Sequence, residues 1–313
     1  MDVRQLATLV AIADHGTFSA AARALYTVQS NVSSHIARLE KELGVTLVDR
    51  SGGGLTEDGV RVVERARRIL HELDDIAADM SSRHADVWGQ TRIGVIGTTA
   101  RWLIPRFLTL LAEQHPHVRV IVQEGATSSL VPNVITGQLN GAVVHLPVDD
   151  PELVIEPLFA EDLLLLAASG HPLADRGDSM PLAELDEVPL LLPPPGAALR
   201  RVLDRAAASA GVTLRAQAEV DGVRLLASLA LDGFGAAIVP ATAVPTSLEG
   251  SFRRIQVPEL PRRVVAFARR RRPSATAPTM ATLETLRQVA HNVGESQHGI
   301  HTDTSAIPFA RGG

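Results

Sequence analysis

A cluster of small polar side chains between residues 29 and 38 could hydrogen-bond to another surface at close range. A helix face that meets only water usually carries Glu and Lys, whereas short donors and acceptors beside an arginine can enter the major groove of DNA and reach base edges. The chemistry that this cluster predicts is recognition of double-stranded DNA. An ordinary helical hairpin with a solvated polar face is the alternative. The cluster comprises Gln29, Ser30, Asn31, Ser33, Ser34, His35 and Arg38.

Two short helices joined by a tight connection must position these side chains. The second helix has an apolar stripe at spacings of four, four, three and four, which lie on one side of a helix. We expect Ser19 to cap the first helix and Thr27 to cap the second, leaving both helix starts able to donate amides to phosphate oxygens. The stripe consists of Val28, Val32, Ile36, Leu39 and Leu43.

The first sixty residues resemble the amino-terminal DNA-binding domain of the LysR-type transcriptional regulators. The resemblance implies a winged helix-turn-helix, a long linker helix and a carboxy-terminal effector-binding domain. The matching residues, in order, are Leu6, Leu9, Val10, Gly16-Thr17-Phe18, Ala21-Ala22, Val28-Gln29-Ser30, Ser33, Ile36, Leu39-Glu40, Leu43-Gly44, Leu47, Arg50, Leu55-Thr56 and Gly59.

By this resemblance, Gln29 and Ser34 face bases, while Ser33 and Arg38 face phosphates. One departure concerns the wing, where Ser51–Gly54 is short and uncharged, so we expect it to supply no Coulomb attraction to DNA. The full set of predicted DNA-contacting residues is Arg23, Thr27, Gln29, Ser30, Asn31, Ser33, Ser34, Arg38 and Arg50.

Composition restricts the class of protein. The 313 residues carry a net charge of −5, and the first ninety hold ten basic against thirteen acidic residues, so DNA binding must depend on local placement of arginines. The sequence contains no cysteine, which excludes disulfides, thiolate nucleophiles and a sensor based on a thiol switch. We see no signal peptide and no apolar run of membrane-spanning length, and therefore expect a cytoplasmic protein with no membrane partner.

Residues 59–90 are predicted to form a linker helix, capped by Asp58, that pairs with a second copy. Its apolar residues recur at spacings of three and four, as in a coiled coil, although a helix buried in one globule is the alternative. Dimerisation implies a pseudo-palindromic operator. By resemblance to the family, we also expect the chain to form a homotetramer and to have RNA polymerase as a partner. The predicted dimerisation residues are Val63, Ala66, Leu70, Leu73, Ala77 and Met80.

From residue 91 onward, strands alternate with helices, which predicts parallel α/β sheets. The order of the elements suggests two lobes around a cleft: lobe I from residues 91–162 and 264–293, and lobe II from 163–263. Here the chain resembles the family's effector domain, whose fold is similar to that of type 2 periplasmic solute-binding proteins. We expect the tail, 294–313, to be disordered.

Ligands of open α/β sheets bind beyond the carboxyl ends of the strands, where helices begin. Hydroxyls and free amides at such positions favour a small anion such as a carboxylate. Simple helix capping is the alternative role for each threonine or serine. The predicted effector-binding residues are Thr98, Thr99, Arg101, Thr127, Ser128, His145 and Gly196.

Together these patterns predict a sequence-specific transcriptional regulator with a winged helix-turn-helix (residues 1–58) and a bilobal α/β domain that senses a small anionic metabolite. We expect no metal and no cofactor. Two alternatives stay open: an enzyme on the same bilobal fold, for example a dehydratase, and a solute-binding module for transport. The enzyme would need a positioned acid and base in the cleft, which the sequence does not pair.

Overall fold

The computed structural model describes residues 1–49, 54–81, 87–244, 252–272, 274–294 and 297–303, without the side chains of 74–75 and 77–81. The chain divides into two compact units. The N-terminal unit comprises residues 1–90 with two short later segments, 136–138 and 276–278. The C-terminal unit comprises the other residues after 90.

The N-terminal unit is helical, with a short antiparallel bridge between Val48 and Leu55 at the base of the predicted wing. Residues 50–53 of that wing, including the predicted DNA contact Arg50, lie outside the described residues. The helices are α1 (Val3–His15), α2 (Phe18–Ala24), α3 (Gln29–Leu43) and α4 (Glu57–Ser81).

The caps of these helices differ from the sequence prediction. Thr17, not Ser19, caps α2 by accepting a hydrogen bond from the Ala20 amide. Val28 occupies the N-cap position of α3 and makes no side-chain cap bond, so the prediction of Thr27 as a cap is wrong. Thr27 lies one residue too early, and its hydroxyl instead accepts from the Asn31 side-chain amide at 3.0 Å.

The core of the N-terminal unit is formed where α1, α2 and α3 pack together. Val32, Ile36 and Leu39 of the predicted stripe are fully buried. The two ends of the stripe are not, because Val28 is 59% exposed and Leu43 is 38% exposed. The stripe therefore buries only the middle turns of α3, and both helix ends project beyond the core.

Helix α4 begins at Glu57, and Thr56 rather than Asp58 caps it, with its hydroxyl accepting from the Gly59 amide at 2.9 Å. Val63 and Ala66 belong to the core formed with α1. A second chain cannot reach these two buried side chains, so the prediction that they form part of the dimerisation face is wrong. The side chains of Ala77 and Met80 lie outside the described part of the helix.

The C-terminal unit alternates helices with strands, as predicted. Its helices are α5 (Gly97–Gln114), α6 (Thr127–Ile135), α7 (Ala198–Ala210), α8 (Val223–Leu231) and α9 (Ala277–Gly294). Its strands are β1 (Gly89–Ile96, which begins in the N-terminal unit), β2 (Val118–Gly125), β3 (Gly141–His145), β4 (Leu153–Glu161), β5 (Leu163–Ala168), β6 (Pro189–Leu192), β7 (Arg215–Glu219), β8 (Ala236–Pro240), β9 (Phe252–Gln256), β10 (Arg263–Arg270) and β11 (Ile300–His301).

The strands form two sheets, one for each lobe, with the orders β11-β4-β10-β3-β1-β2 and β7-β6-β8-β5-β9. The bilobal α/β fold is as predicted, but the sheets expected to be parallel are mixed. Strand β10 runs antiparallel to β3 and β4, and β5 runs antiparallel to β8 and β9. The antiparallel pairs arise because the chain leaves one sheet, completes the other and returns, instead of making only helical crossovers.

The chain crosses between the sheets at two neighbouring places. It passes from β4 to β5 at Asp162, and it returns before Arg263, the first residue of β10. Strands β4 and β10 are paired so that Glu161 lies opposite Arg263. The two crossings therefore lie side by side at the base of the space between the lobes.

The prediction that the tail is disordered is wrong for residues 297–303. Within them, β11 adds to the edge of the first sheet by pairing with β4, and the His301 imidazole contacts the Asp162 carboxylate at 2.8 Å. Of the rest of the predicted tail, Gly294 is the last residue of α9, whereas 295–296 and 304–313 lie outside the described residues. Among the described helices, none is both long and apolar enough to span a membrane.

Candidate functional site

The exposed face of α3 carries the predicted DNA-contacting side chains. Gln29, Ser30, Asn31 and Arg38 are exposed, whereas Ser33 and Ser34 are partly buried. Because the N-cap position offers no side-chain acceptor, the first amides of α3 are available to a phosphate oxygen. Arg23 is exposed on the neighbouring helix α2.

Hydrogen bonds within the N-terminal unit hold this face in place. The Ser19 hydroxyl donates to Gln29 Oε1 at 2.8 Å, which connects α2 to the first residue of α3. His35 has a different role from its polar neighbours, since its Nδ1 contacts the Thr8 hydroxyl of α1 at 3.1 Å. The arrangement leaves a polar helix face of small side chains on a rigid helical core, as base recognition requires.

A cleft of about 500 Å³ in the C-terminal unit lies between the two sheets, and the first turns of four helices line it. Two of these helices, α5 and α6, come from the first lobe, and the other two, α7 and α8, come from the second. Helices α5, α7 and α8 have no side-chain cap bond at the N-cap. Their first amides are therefore available to a ligand.

Two threonine hydroxyls in the cleft are arranged to donate to a ligand. Thr98 Oγ1 accepts from the Arg263 guanidinium at 2.8 Å, and Thr127 Oγ1 accepts from the His145 amide at 3.3 Å. A hydroxyl has one proton and two lone pairs, so each oxygen that already accepts within the protein keeps its proton for another acceptor. Both residues are thus suited to an oxygen-bearing ligand.

The formal charges that line the cleft nearly cancel. Arg263 is paired with the buried Glu161, with 2.6 Å between the guanidinium and Oε1. Arg224 of α8 contacts Glu124, the penultimate residue of β2, at 2.7 Å across the two lobes. Each helix N-terminus is equivalent to about +0.5 elementary charge, so the four termini together contribute about +2. Asp221, just before α8, adds a further carboxylate to the lining. Attraction for an anion therefore comes from the helix termini rather than from the arginines.

His145, at the end of β3, is uncharged at neutral pH. Burial, together with repulsion from the Arg263 guanidinium, lowers the pKa of His145 to about 4. A neutral imidazole can donate one hydrogen bond and accept another, so it can contact either a polar or an apolar part of a ligand without a desolvated charge.

We expect the free energy of unfolding to fall on acidification because of His145. The unfolded chain takes up this proton near pH 6.5, whereas the folded chain does so only near pH 4. Stability from the neutral imidazole is therefore complete above pH 6.5 and decreases towards pH 4, by about 2 kcal/mol between pH 7 and pH 5. Urea unfolding of wild type and His145→Gln at both pH values measures this, and an equal pH dependence in the two proteins contradicts it.

The structure brings together three of the predicted effector-binding residues and separates the others. Thr98, Thr127 and His145 line the cleft. Arg101 lines a smaller cavity of about 190 Å³, which shares Thr98 and Arg224 with the lining of the cleft. The other three do not line the cleft: Thr99 is fully buried, Ser128 is exposed, and Gly196 lies in the turn before α7.

Sequence reasoning missed Arg263, Arg224 and Gly222 of the cleft lining. Arg263 follows a proline and another arginine in the sequence, and only the pairing of β10 with β4 places it beside Glu161. Gly222 was the one detectable signal, because glycine is among the residues accepted at a helix N-cap and an apolar helical pattern follows it. Its φ of +100° favours glycine at this N-cap.

Comparison with known proteins agrees with both units. The bacterial regulatory helix-turn-helix domain of the lysR family matches residues 3–60, and the LysR substrate binding domain matches residues 84–291. A probable hydrogen peroxide-inducible genes activator from Streptomyces viridosporus is 34% identical over 254 residues, covering 80% of each chain. The DNA-binding transcriptional dual regulator OxyR of Escherichia coli K12 is 30% identical over 247 residues, covering 78% of this chain and 81% of OxyR.

The solved structure of full-length CbnR in complex with its target DNA is also similar. It has a TM-score of 0.69 and 25% identity, and the similarity covers 92% of this chain and 100% of that chain. The two units therefore define a transcriptional regulator with a helix-turn-helix for DNA and a bilobal ligand-binding domain. The chain belongs to the LysR family, as the resemblance in the sequence predicted.

Proposed function

We propose that this regulator responds to a small anionic metabolite bound in the cleft between its two lobes. The observation that carries the proposal is the convergence of four helix N-termini on one cavity, beside the available hydroxyl protons of Thr98 and Thr127. An anion there interacts favourably with helices from both lobes. Binding therefore favours a closer approach of the lobes.

A thiol-based peroxide response is not part of the proposal. Several relatives are named as hydrogen peroxide-inducible genes activators, among them the one from Streptomyces viridosporus. The present sequence contains no cysteine, so a signal that requires thiol oxidation within the chain has no residue to act on. A reversibly bound ligand is the signal that the cleft supports.

On the DNA side, we propose that Gln29 and Ser34 contact base edges and that Ser33 and Arg38 contact phosphates. Exposed Gln29 lies at the first turn of α3, where recognition helices usually approach bases. We propose that two copies of the chain bind a pseudo-palindromic operator, that a homotetramer forms as in the family, and that RNA polymerase is a further partner.

For the dimer, we propose a face on α4 formed by four of its apolar residues. Ile69 and Leu73 are each about two-fifths exposed, and Ile76 is 59% exposed. Their spacing of four and three, together with half-buried Leu70, follows a coiled-coil seam. This face lies further along α4 than Val63 and Ala66, which are buried in the core of the N-terminal unit.

Substitutions on α3 are expected to separate the roles of its residues. Gln29→Ala or Ser34→Ala should weaken binding to the cognate operator by about 1–3 kcal/mol and relax the base preference, because a base contact is lost. Arg38→Ala should weaken binding to all sequences alike and lower the salt dependence by about one counterion, because a phosphate contact is lost. Titration of operator and scrambled duplexes at two salt concentrations measures both effects. An equal loss on both duplexes for all three variants contradicts the assigned roles.

The ligand proposal is tested by selecting genomic fragments with the purified protein and footprinting them with and without candidate organic acids. We expect a protected pseudo-palindrome whose boundaries or bend change when an acid saturates the cleft. Thr127→Val should preserve the footprint of the unliganded protein but shift the response to higher acid concentrations. A footprint that no cleft-bound acid alters contradicts the proposed response.

The enzyme and the solute-binding module are not favoured. The chain carries the regulatory helix-turn-helix, and the relatives described above are named as transcriptional regulators or gene activators.

A further inference from the structure

A second and larger cavity, of about 650 Å³, lies against helix α7 in the C-terminal unit, and we name it the apolar chamber. Apolar residues that line it include Val202 and Ala206 of α7 and the buried Leu163 of β5. Four exposed polar or charged residues also line it: Arg205, Ser209, Glu259 and Arg262. A cavity of this size is in the range of small-molecule binding sites.

The apolar chamber adjoins the anion-attracting cleft. Four residues line both cavities: His145, Ala198, Leu199 and Arg263. The Arg263 guanidinium is hydrogen-bonded to Glu161 and Thr98, so its charge is already paired with a carboxylate. A ligand that passes from the cleft to the chamber therefore moves from helix N-termini to hydrocarbon side chains.

We propose that the effector is an amphipathic organic acid, whose acid group binds in the cleft and whose apolar body fills the chamber. This inference rests on the proposed anionic effector and adds its chemical class. A small hydrophilic acid would satisfy only the cleft and would leave the partly exposed side chains of Val202 and Ala206 in contact with water. An acid with an apolar body removes that surface from water, which adds affinity in proportion to the area buried.

The test is calorimetric titration of the full chain with butyrate, hexanoate and octanoate at pH 7. Because each methylene enters apolar surroundings, we expect affinity to increase about fourfold for each carbon added. Octanol, which has the same length without the charge, should bind about tenfold or more weakly than octanoate, because it lacks the charge-assisted hydrogen bonds.

Two tryptophan substitutions on α7 provide a matched pair. Ala206→Trp fills the chamber and is expected to remove the gain from butyrate to octanoate, which amounts to about two orders of magnitude. Ala208 is exposed on the same helix and does not line the chamber, so Ala208→Trp should keep the gain. If Ala206→Trp does not fold, Val202→Asn makes the same wall polar and should reduce the gain.

The outcomes separate this inference from the proposal on which it rests. If succinate and butyrate bind, Thr127→Val weakens them, and chain length has no effect, the amphipathic class is overturned while the anionic effector stands. If octanol binds as tightly as octanoate, or if no acid binds at any length, the anionic effector itself is overturned. If both tryptophan variants retain the dependence of affinity on chain length, the apolar body binds at another site. That result also overturns the inference.

Discussion

Replacing Arg263 by methionine is expected to lower the free energy of unfolding of the C-terminal unit by about 3–5 kcal/mol. The reason is Glu161, whose side chain is fully buried and whose Oε1 accepts two hydrogen bonds from the Arg263 guanidinium. The Thr242 amide, at 2.9 Å from Oε2, would remain as a donor to that carboxylate. One neutral donor cannot replace a guanidinium, so the carboxylate would be left buried without a countercharge.

Two further variants test this explanation by urea unfolding at pH 7. Adding Glu161→Gln to Arg263→Met removes the buried charge and should restore more than half of the lost stability. The neighbouring Arg262 is 61% exposed and pairs with Asp162 at 3.1 Å, so Arg262→Met should cost less than about 1 kcal/mol. Equal losses for Arg262→Met and Arg263→Met, or no recovery in the double variant, would contradict the role of the buried pair.

The second large effect is expected from Gly59→Ala, at the start of α4. A Cβ atom at this position would lie 2.0 Å from the backbone carbonyl oxygen of Leu47. The same carbonyl accepts from the Thr56 amide at 3.0 Å, so the chain cannot move there without losing that bond. We expect a loss of about 3 kcal/mol in the stability of the N-terminal unit, because the overlap involves backbone and not a flexible side chain.

The sign of this change distinguishes crowding from helix propensity. Alanine normally favours a helix over glycine by up to about 1 kcal/mol, so Gly59→Ala would be stabilising if propensity dominated. Gly54→Ala is the matched control, since an added Cβ meets nothing within 4 Å. Thermal unfolding of both variants, together with operator binding at a temperature where the wild type is folded, measures the difference. A Gly59→Ala protein as stable as Gly54→Ala would refute the clash.

Much of the N-terminal unit was predictable from sequence because its signals are local. The spacing of Val32, Ile36 and Leu39 determines which side of α3 faces the core, and the opposite polar face follows from the same period. The caps were less predictable. Thr17 and Ser19 are both good N-cap residues, and the tertiary position of the turn, not residue preference, decides between them.

Only some features of the C-terminal unit can be predicted from the sequence. Strands β3 and β5 can be recognised from the sequence because they are short apolar runs. Strand β4 cannot be recognised in this way, since Glu156 and Pro157 interrupt its apolar pattern, and its pairing with β10 is what stabilises it. The cleft was only partly predicted for the same reason, because Arg263 reaches Thr98 through a strand pairing between residues a hundred positions apart.

The adjacent crossings at Asp162 and before Arg263 have a mechanical consequence. Two covalent connections that lie side by side resist sliding and twisting of one sheet relative to the other, but they leave rotation about a common axis soft. Ligands of different shape can therefore change only the hinge angle between the two sheets, and they differ in how far they change it. We expect a single line when the inter-lobe distance is plotted against transcriptional output for a series of agonists and antagonists of this protein.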